Sequence, residues 1–224
     1  MISVIIPSLD EEITIGQCIE SARREPGYIE VIVADGGSVD GTLEIIGKLN
    51  HVVLVESPKG RGLQMNRGAG AATGDIYVFL HADTILDRGW SNEIMTTLGN
   101  DEVVGGAFTL AIDSPEWQYR LIERMVRIRC ALWKLPYGDQ GIFVRRSVFE
   151  KIGGYKNIPL MEDVDFIERT KRSGRISILP KKALTSHRRW EKEGWVQTTL
   201  LNQLIMIMYR LGVDPHRLAG LYYG

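Results

Sequence analysis

Three observations predict an α/β fold built on a mostly parallel sheet. Over the first hundred residues, short apolar runs of strand length alternate with stretches of helical period in the order βαβαβαβα. The runs Val4-Ile5-Ile6, Val31-Ile32-Val33-Ala34 and Ile76-Tyr77-Val78-Phe79-Leu80 are apolar throughout and do not alternate, which is the pattern of strands covered on both faces. Each run stops at a polar loop rich in acids or glycine, and ligands bind at such strand ends in open α/β sheets.

Taken in order, strands are expected at 2–6, 29–34, 51–55 and 76–80, with helices at 13–24, 42–49, 63–72 and 90–98 between and behind them. Right-handed crossovers follow from that order. The second half is less regular. A strand is expected at 103–112, a long helix at 116–135, a glycine-rich bend at 138–141 before a buried strand, a helix at 162–173 and a last helix at 194–211.

At 224 residues, 44% hydrophobic and 25% charged, the chain has an ordinary globular composition and reads as one domain. Its net charge of −1 gives no electrostatic case for nucleic-acid binding. Cys18 and Cys130 each fall in an expected helix without metal-type spacing, so both read as reduced packing residues of a cytoplasmic protein. No basic region followed by an apolar core opens the chain, and no run approaches the roughly 18 apolar residues of a membrane span.

The strand ends carry the chemistry. Pro7-Ser8-Leu9-Asp10-Glu11-Glu12 sets three acids before a helix, where dipole compensation competes with a binding role. Asp35-Gly36-Gly37-Ser38-Val39-Asp40-Gly41-Thr42 has glycines that admit a close ligand, and Ser38 or Asp40 can cap the next helix. Asp35, at the strand tip, is not needed as a cap, which favours a ligand role. Ser57-Pro58-Lys59-Gly60-Arg61-Gly62 is a cationic glycine loop suited to phosphates. The fourth strand ends in His81-Ala82-Asp83, whose carboxylate is placed to hold a divalent metal. Four such ends on one sheet edge describe a nucleotide pocket.

As an ordered set these stretches resemble family 2 glycosyltransferases with the GT-A nucleotide-sugar fold. The matching residues are Val4-Ile5-Ile6-Pro7 with Asp10-Glu11-Glu12, Asp35 through Thr42, the helix entry from Gly60 to Gly74, and His81-Ala82-Asp83. Gly153-Gly154-Tyr155 and Glu162-Asp163-Val164-Asp165 match the family's downstream block. The similarity is greatest to short, soluble, bacterial-type members carrying a His-Ala-Asp triplet.

The resemblance implies that residues 1–100 form the nucleotide-binding half and 101–224 the acceptor-binding half. It implies nucleotide contacts at Pro7, Glu11 (ribose), Asp35 (base, usually uracil), Arg61 and Ala82. Asp83 would ligate Mn²⁺ or Mg²⁺ on the diphosphate, and Asp163 would be the base that deprotonates an acceptor hydroxyl, with inversion at the sugar carbon. A hard cation on oxygen ligands suits such a leaving group, and a partly shielded carboxylate suits the base. Two positions depart from the family pattern: His81 and Gly36 stand where many relatives have aspartate. UDP is the expected nucleotide, with GDP and dTDP still open.

Further polar positions complete the expected site. His187 is a second metal ligand by the family pattern and a structural histidine by the plainer one. Arg188, Arg189 and Trp190 distantly resemble the Gln-x-x-Arg-Trp signature of processive relatives. The glutamine is missing, so polymer synthesis is not expected. His81, Asp139, Gln140, Glu162, Arg188 and Trp190 are assigned to the donor sugar or acceptor, against turn chemistry as the alternative for Asp139 and Gln140.

In the 116–135 helix, Leu121, Met125, Ile128 and Leu132 share one face and Arg120, Arg124 and Arg127 another. The final helix is also strongly apolar. Either both helices close the core or make a homodimer, or they form a basic, apolar surface for anionic lipid and a lipid-linked acceptor, peripheral to the inner membrane face. Two other functions remain open, a non-catalytic nucleotide-sugar-binding protein and a nucleotidyltransferase. The latter fits poorly because acids after the first strand repel a triphosphate.

Overall fold

The computed structural model describes residues 1–223 and contains one eight-stranded sheet. Its first strands and helices are β1 (Ile2–Ser8), α1 (Ile15–Arg23), β2 (Ile29–Asp35), α2 (Thr42–Gly47), β3 (Val52–Glu56), α3 (Arg61–Ala71), β4 (Ile76–Phe79), β5 (Thr84–Leu86) and α4 (Trp90–Leu98). Then come β6 (Val103–Ile112), α5 (Trp117–Trp133), a 3-10 turn (Gly138–Gln140), β7 (Ile142–Arg145) and α6 (Arg146–Ile152). The chain continues through α7 (Glu162–Lys171), β8 (Arg175–Thr185), α8 (Arg188–Glu193), α9 (Trp195–Arg210) and α10 (Pro215–Tyr223).

The continuous apolar runs are buried on both faces, as expected. Along β1, Ile2, Val4 and Ile6 enter one core while Ile5 enters the other, and β2 and β4 divide in the same two-residue rhythm. α1 and α4 cover the first core with Ile15, Cys18, Ile19, Trp90 and Ile94. α3, α6 and α7 cover the second, where an aromatic cluster centres on Phe79 and Phe149, with the Tyr155 and Phe166 rings stacked 4.1 Å apart. Small residues let α3 lie close: a Cβ on Gly68 would stand 2.5 Å from Ile5 Cγ2.

The strand order is β3-β2-β1-β4-β7-β6-β8-β5. β3, β2, β1 and β4 are parallel, as the βα alternation predicts. β7 then runs antiparallel to both β4 and β6, β8 returns parallel to β6, and β5 pairs antiparallel with β8. That reversal builds the site. Because Phe79 pairs with Ile142, the turn preceding β7 stands at the carboxyl end of β4. Because Thr84 pairs with Thr185, the end of β8 lies beside Asp83.

Several elements differ from the expectations drawn from sequence. β5, β8, α6, α8 and α10 were not expected, and α9 is not the last helix. β8 escapes a pattern reading because Pro180 and Lys181 interrupt it. Both are skipped where the register jumps from Leu179 to Lys182 against Phe108 and Thr109, a bulge that accommodates the proline. Leu121, Met125, Ile128 and Leu132 of α5 do not close the core; they are exposed, and Tyr119, Ile122 and Cys130 face inward instead. No helix among the described residues is long and apolar enough to cross a membrane.

Candidate active site

A cavity of about 240 Å³ opens at the carboxyl edge of β4, lined by Arg61, His81, Asp83, Asp139, Glu162, Asp163 and Trp190 among the residues expected there. Five structural segments bring them together: the start of α3 (Arg61), the β4–β5 turn, the 3-10 turn, the start of α7 and α8 (Trp190). Met161, the residue before Glu162, sits in the left-handed region (φ 67°), an uncommon conformation for a non-glycine residue. This backbone turns α7 so that its acid-rich first turn meets the cavity.

Asp163 is held at both oxygens. Gly138 N–H donates to Oδ2 at 2.7 Å and Val164 N–H to Oδ1 at 2.8 Å. Beside it, His81 Nε2 is buried without a hydrogen-bond partner among the described residues. A Cβ added to Gly138 would stand 2.7 Å from His81 Nε2 and 3.5 Å from Asp163 Oδ2, so glycine here lets the imidazole and the carboxylate flank one narrow space. Burial, reinforced by the nearby Arg61 guanidinium, pushes the His81 pKa down to about 3, so the ring is neutral at physiological pH.

Glu162 is buried and pairs with the half-exposed Arg61 at 3.2 Å. Its pKa is raised by burial, with Arg61 opposing and Asp163 adding to the shift. Asp139 lines the same cavity, and its Oδ1 is buried without a partner among the described residues. Burial pushes its pKa up to about 6, opposed by Arg129 and reinforced by Asp163 and Asp83.

Asp83 has one weak side-chain partner, the Thr84 hydroxyl at 3.3 Å. Its pKa is raised by burial and by Glu11, while Arg188 opposes. Ser186 N–H donates to the Asp83 carbonyl at 3.2 Å, which places His187 one residue from that contact. His187 Nδ1 is buried without a partner among the described residues, and its ring packs 5.7 Å from Tyr119. No group of three His, Cys, Asp or Glu side chains gathers as a metal cage among the described residues. His187 does not line the cavity, whereas the underligated Asp83 carboxylate does, and its oxygens suit a hard cation that takes its remaining ligands from a diphosphate and water.

The other expected residues lie outside this cavity. Arg188 donates to Glu11 Oε2 at 2.7 Å, tying the segment after β8 to the loop after β1. Pro7 and Ala82 are buried beside the strand ends. Asp35 does have a local structural task, contrary to the expectation. Its carboxylate accepts Gly37 N–H and Ser38 N–H, both at 2.8 Å, and the Ser38 hydroxyl at 2.5 Å. The Gly36 departure also has a steric partner. Gln64 Nε2 donates to the carbonyls of Ser8 and Ala34, and a Cβ at position 36 would stand 3.0 Å from that nitrogen.

Gln140 is corrected to a supporting role. Its Nε2 donates to the Phe108 carbonyl at 2.9 Å, and its Oε1 accepts from Arg129 and from Tyr137 N–H, so both ends are used inside the protein. It lines a separate cavity under α5. Sequence reasoning missed Tyr137, Thr198, Asn202 and Tyr222, which complete the main cavity. Tyr222 donates to Asn202 Oδ1 at 3.1 Å, and the Arg189 guanidinium covers the Tyr222 ring at 4.1 Å. None of these stands in a motif; Tyr137 caps the 3-10 turn, and Thr198, Asn202 and Tyr222 join it because α9 and α10 fold over the sheet edge.

Residues 3–153 match the sequence model of Glycosyl transferase family 2. The chain belongs to that family. The glycosyltransferase is 30% identical over 179 residues to a PGL/p-HBAD biosynthesis glycosyltransferase of Mycobacterium tuberculosis, covering 74% of this chain and 68% of the relative. It is 27% identical over 221 residues to the probable glycosyltransferase YdaM of Bacillus subtilis, covering 86% of this chain and half of that one. Among solved structures, the mannosyltransferase PcManGT from Pyrobaculum calidifontis, in complex with GDP-Man and Mn²⁺, superposes with a TM-score of 0.72 at 18% identity, over 95% of this chain and 64% of that chain. S. aureus TarS 1-349 in complex with UDP gives 0.65 at 18% identity, over 83% and 61%. At such identity the two structures establish the shared GT-A fold.

Proposed function

We propose that this glycosyltransferase moves a sugar, with inversion, from a UDP-linked donor to an acceptor hydroxyl, with a divalent cation on the diphosphate. The observation that carries the reading is the meeting of Asp163, the neutral His81 and the underligated Asp83 around one cavity at the strand edge. Residues 1–100 supply the nucleotide side through Glu11, Asp35 and the loop they organise; residues 101–224 supply the acceptor side. Asp83, with His187 as the second candidate ligand, would hold a Mn²⁺ or Mg²⁺, which would supply charge neutralisation for the leaving diphosphate.

Asp163 takes the proton of the acceptor hydroxyl as that oxygen attacks the anomeric carbon. The carbon–oxygen bond to the diphosphate breaks on the opposite face, and the nucleoside diphosphate leaves with the electron pair. His81 is neutral, so it contacts a donor hydroxyl without repelling the cation. Arg61 and Arg189 stand where negative charge accumulates. The acceptor is amphiphilic, because its wall combines Asn202, Thr198 and Tyr222 with Ile205, Met206 and Trp190.

Calorimetric titration with UDP, GDP and dTDP, with and without Mn²⁺, tests this reading beside Asp83→Ala. The expected result is Mn²⁺-dependent binding of UDP that weakens at least about tenfold in the variant. Folded protein that binds none of the three nucleotides overturns it. Binding without transfer from any UDP-sugar favours the non-catalytic binder.

A further inference from the structure

α5 and α9 each carry an outward apolar row that the core does not use. On α5 it consists of Trp117, Leu121, Met125, Ile128 and Leu132, from 42 to 69% exposed. On α9 it consists of Val196, Leu200, Leu204 and Ile207, continued by Leu211, from 46 to 79% exposed. The rows meet at their N-terminal ends, where the Trp117 and Trp195 rings make an edge contact at 5.8 Å. Charge on these helices is one-sided. α5, α9 and α10 hold six arginines against a single carboxylate, Glu123, which is buried and paired with Arg120, whereas the whole chain carries −1.

We propose that this face docks on an anionic lipid bilayer. The apolar rows enter the interfacial layer while the exposed Arg124 and Arg127 meet lipid phosphates alongside. The same charge argues against a second copy as the occupant. A symmetric pairing of two such faces sets arginine against arginine with no exposed acid in the three helices to compensate. The inner side of α9, with Thr198, Asn202, Ile205 and Met206, lines the catalytic cavity. Docking by its outer side therefore places that cavity about one helix diameter, roughly 10 Å, from the lipid surface. Delivery of the acceptor from the bilayer rests on the amphiphilic-acceptor reading above; the docking itself does not.

Co-sedimentation of the full chain tests it, using phosphatidylcholine vesicles with and without about one third phosphatidylglycerol. Binding to the anionic vesicles is expected, falling steeply at about 0.5 M NaCl. Arg124→Gln with Arg127→Gln should weaken it about fivefold per arginine. Leu121→Glu with Ile128→Glu should abolish it without lowering the melting temperature, since both positions are exposed. Asp163→Asn should bind vesicles like wild type, so a failed catalytic reading leaves this result standing. Equal binding to neutral and anionic vesicles overturns the proposal, as does no binding. So does a dimer by light scattering that Ile128→Glu dissociates.

Discussion

At the scale of single residues, the site depends on side chains held neutral or underligated by burial. Asp163 keeps its carboxylate oriented in the cavity by two backbone N–H donors, one on each oxygen. Asp163→Asn retains an oxygen for Gly138 N–H but loses basicity. The expected result is a kcat lower by about 100- to 10,000-fold with nucleotide affinity changed by less than about twofold. Transfer kinetics beside calorimetry checks this, and a retained kcat would remove Asp163 from the role of base. The acids Asp83, Asp163 and Glu162 were legible in the sequence because each sits in a short motif at a strand or helix end. The burial that neutralises His81 was not, because it arises from Arg61 and the 3-10 turn, distant in the chain.

At the scale of elements, the close approach of α3 to β1 keeps the strand ends together. Gly68 allows it, since a Cβ there would stand 2.5 Å from Ile5 Cγ2, and Ile5 is fully buried in the core. In Gly68→Ala, the helix gains about 1 kcal/mol of propensity. Overpacking against a rigid isoleucine costs about 1–3 kcal/mol, so a net loss of up to about 2 kcal/mol is expected in urea unfolding. Increased stability would mean that α3 can shift without consequence. The same scale separates legible from illegible elements. The β1, β2 and β4 units were readable because each buries its strand on both faces between the two cores, whereas the edge strand β3 is largely exposed. β8 was not, because its bulge accommodates Pro180 only in the presence of β6, and α10 only acquires a core side, Leu218, by packing on α9.

For the whole molecule, concentrating acids in a buried cavity sets a pH dependence of stability. Asp139 has a folded pKa of about 6, above its ordinary value near 3.9. Between those values the folded state holds a proton that the unfolded chain releases. Stability therefore falls as pH rises through about 4 to 6 and then levels off, by at most about 3 kcal/mol, less to the extent that water reaches the group. Asp139→Asn should remove that fall, so its stability advantage over wild type should grow across the window and hold constant above it. Urea unfolding at several pH values measures the difference, and parallel curves would show that Asp139 titrates normally. By itself the sequence determined the parallel first half of the sheet, its acid-tipped strand edge and the family, because each rests on contiguous residues and local periodicity. Only the tertiary structure decided which of those residues share a cavity, that Gln140 supports rather than lines it, and that the apolar row of α5 faces outward. Those depend on the reversal of β7 and the packing of helices remote in the chain, and burial is a property of neighbours that no local pattern encodes.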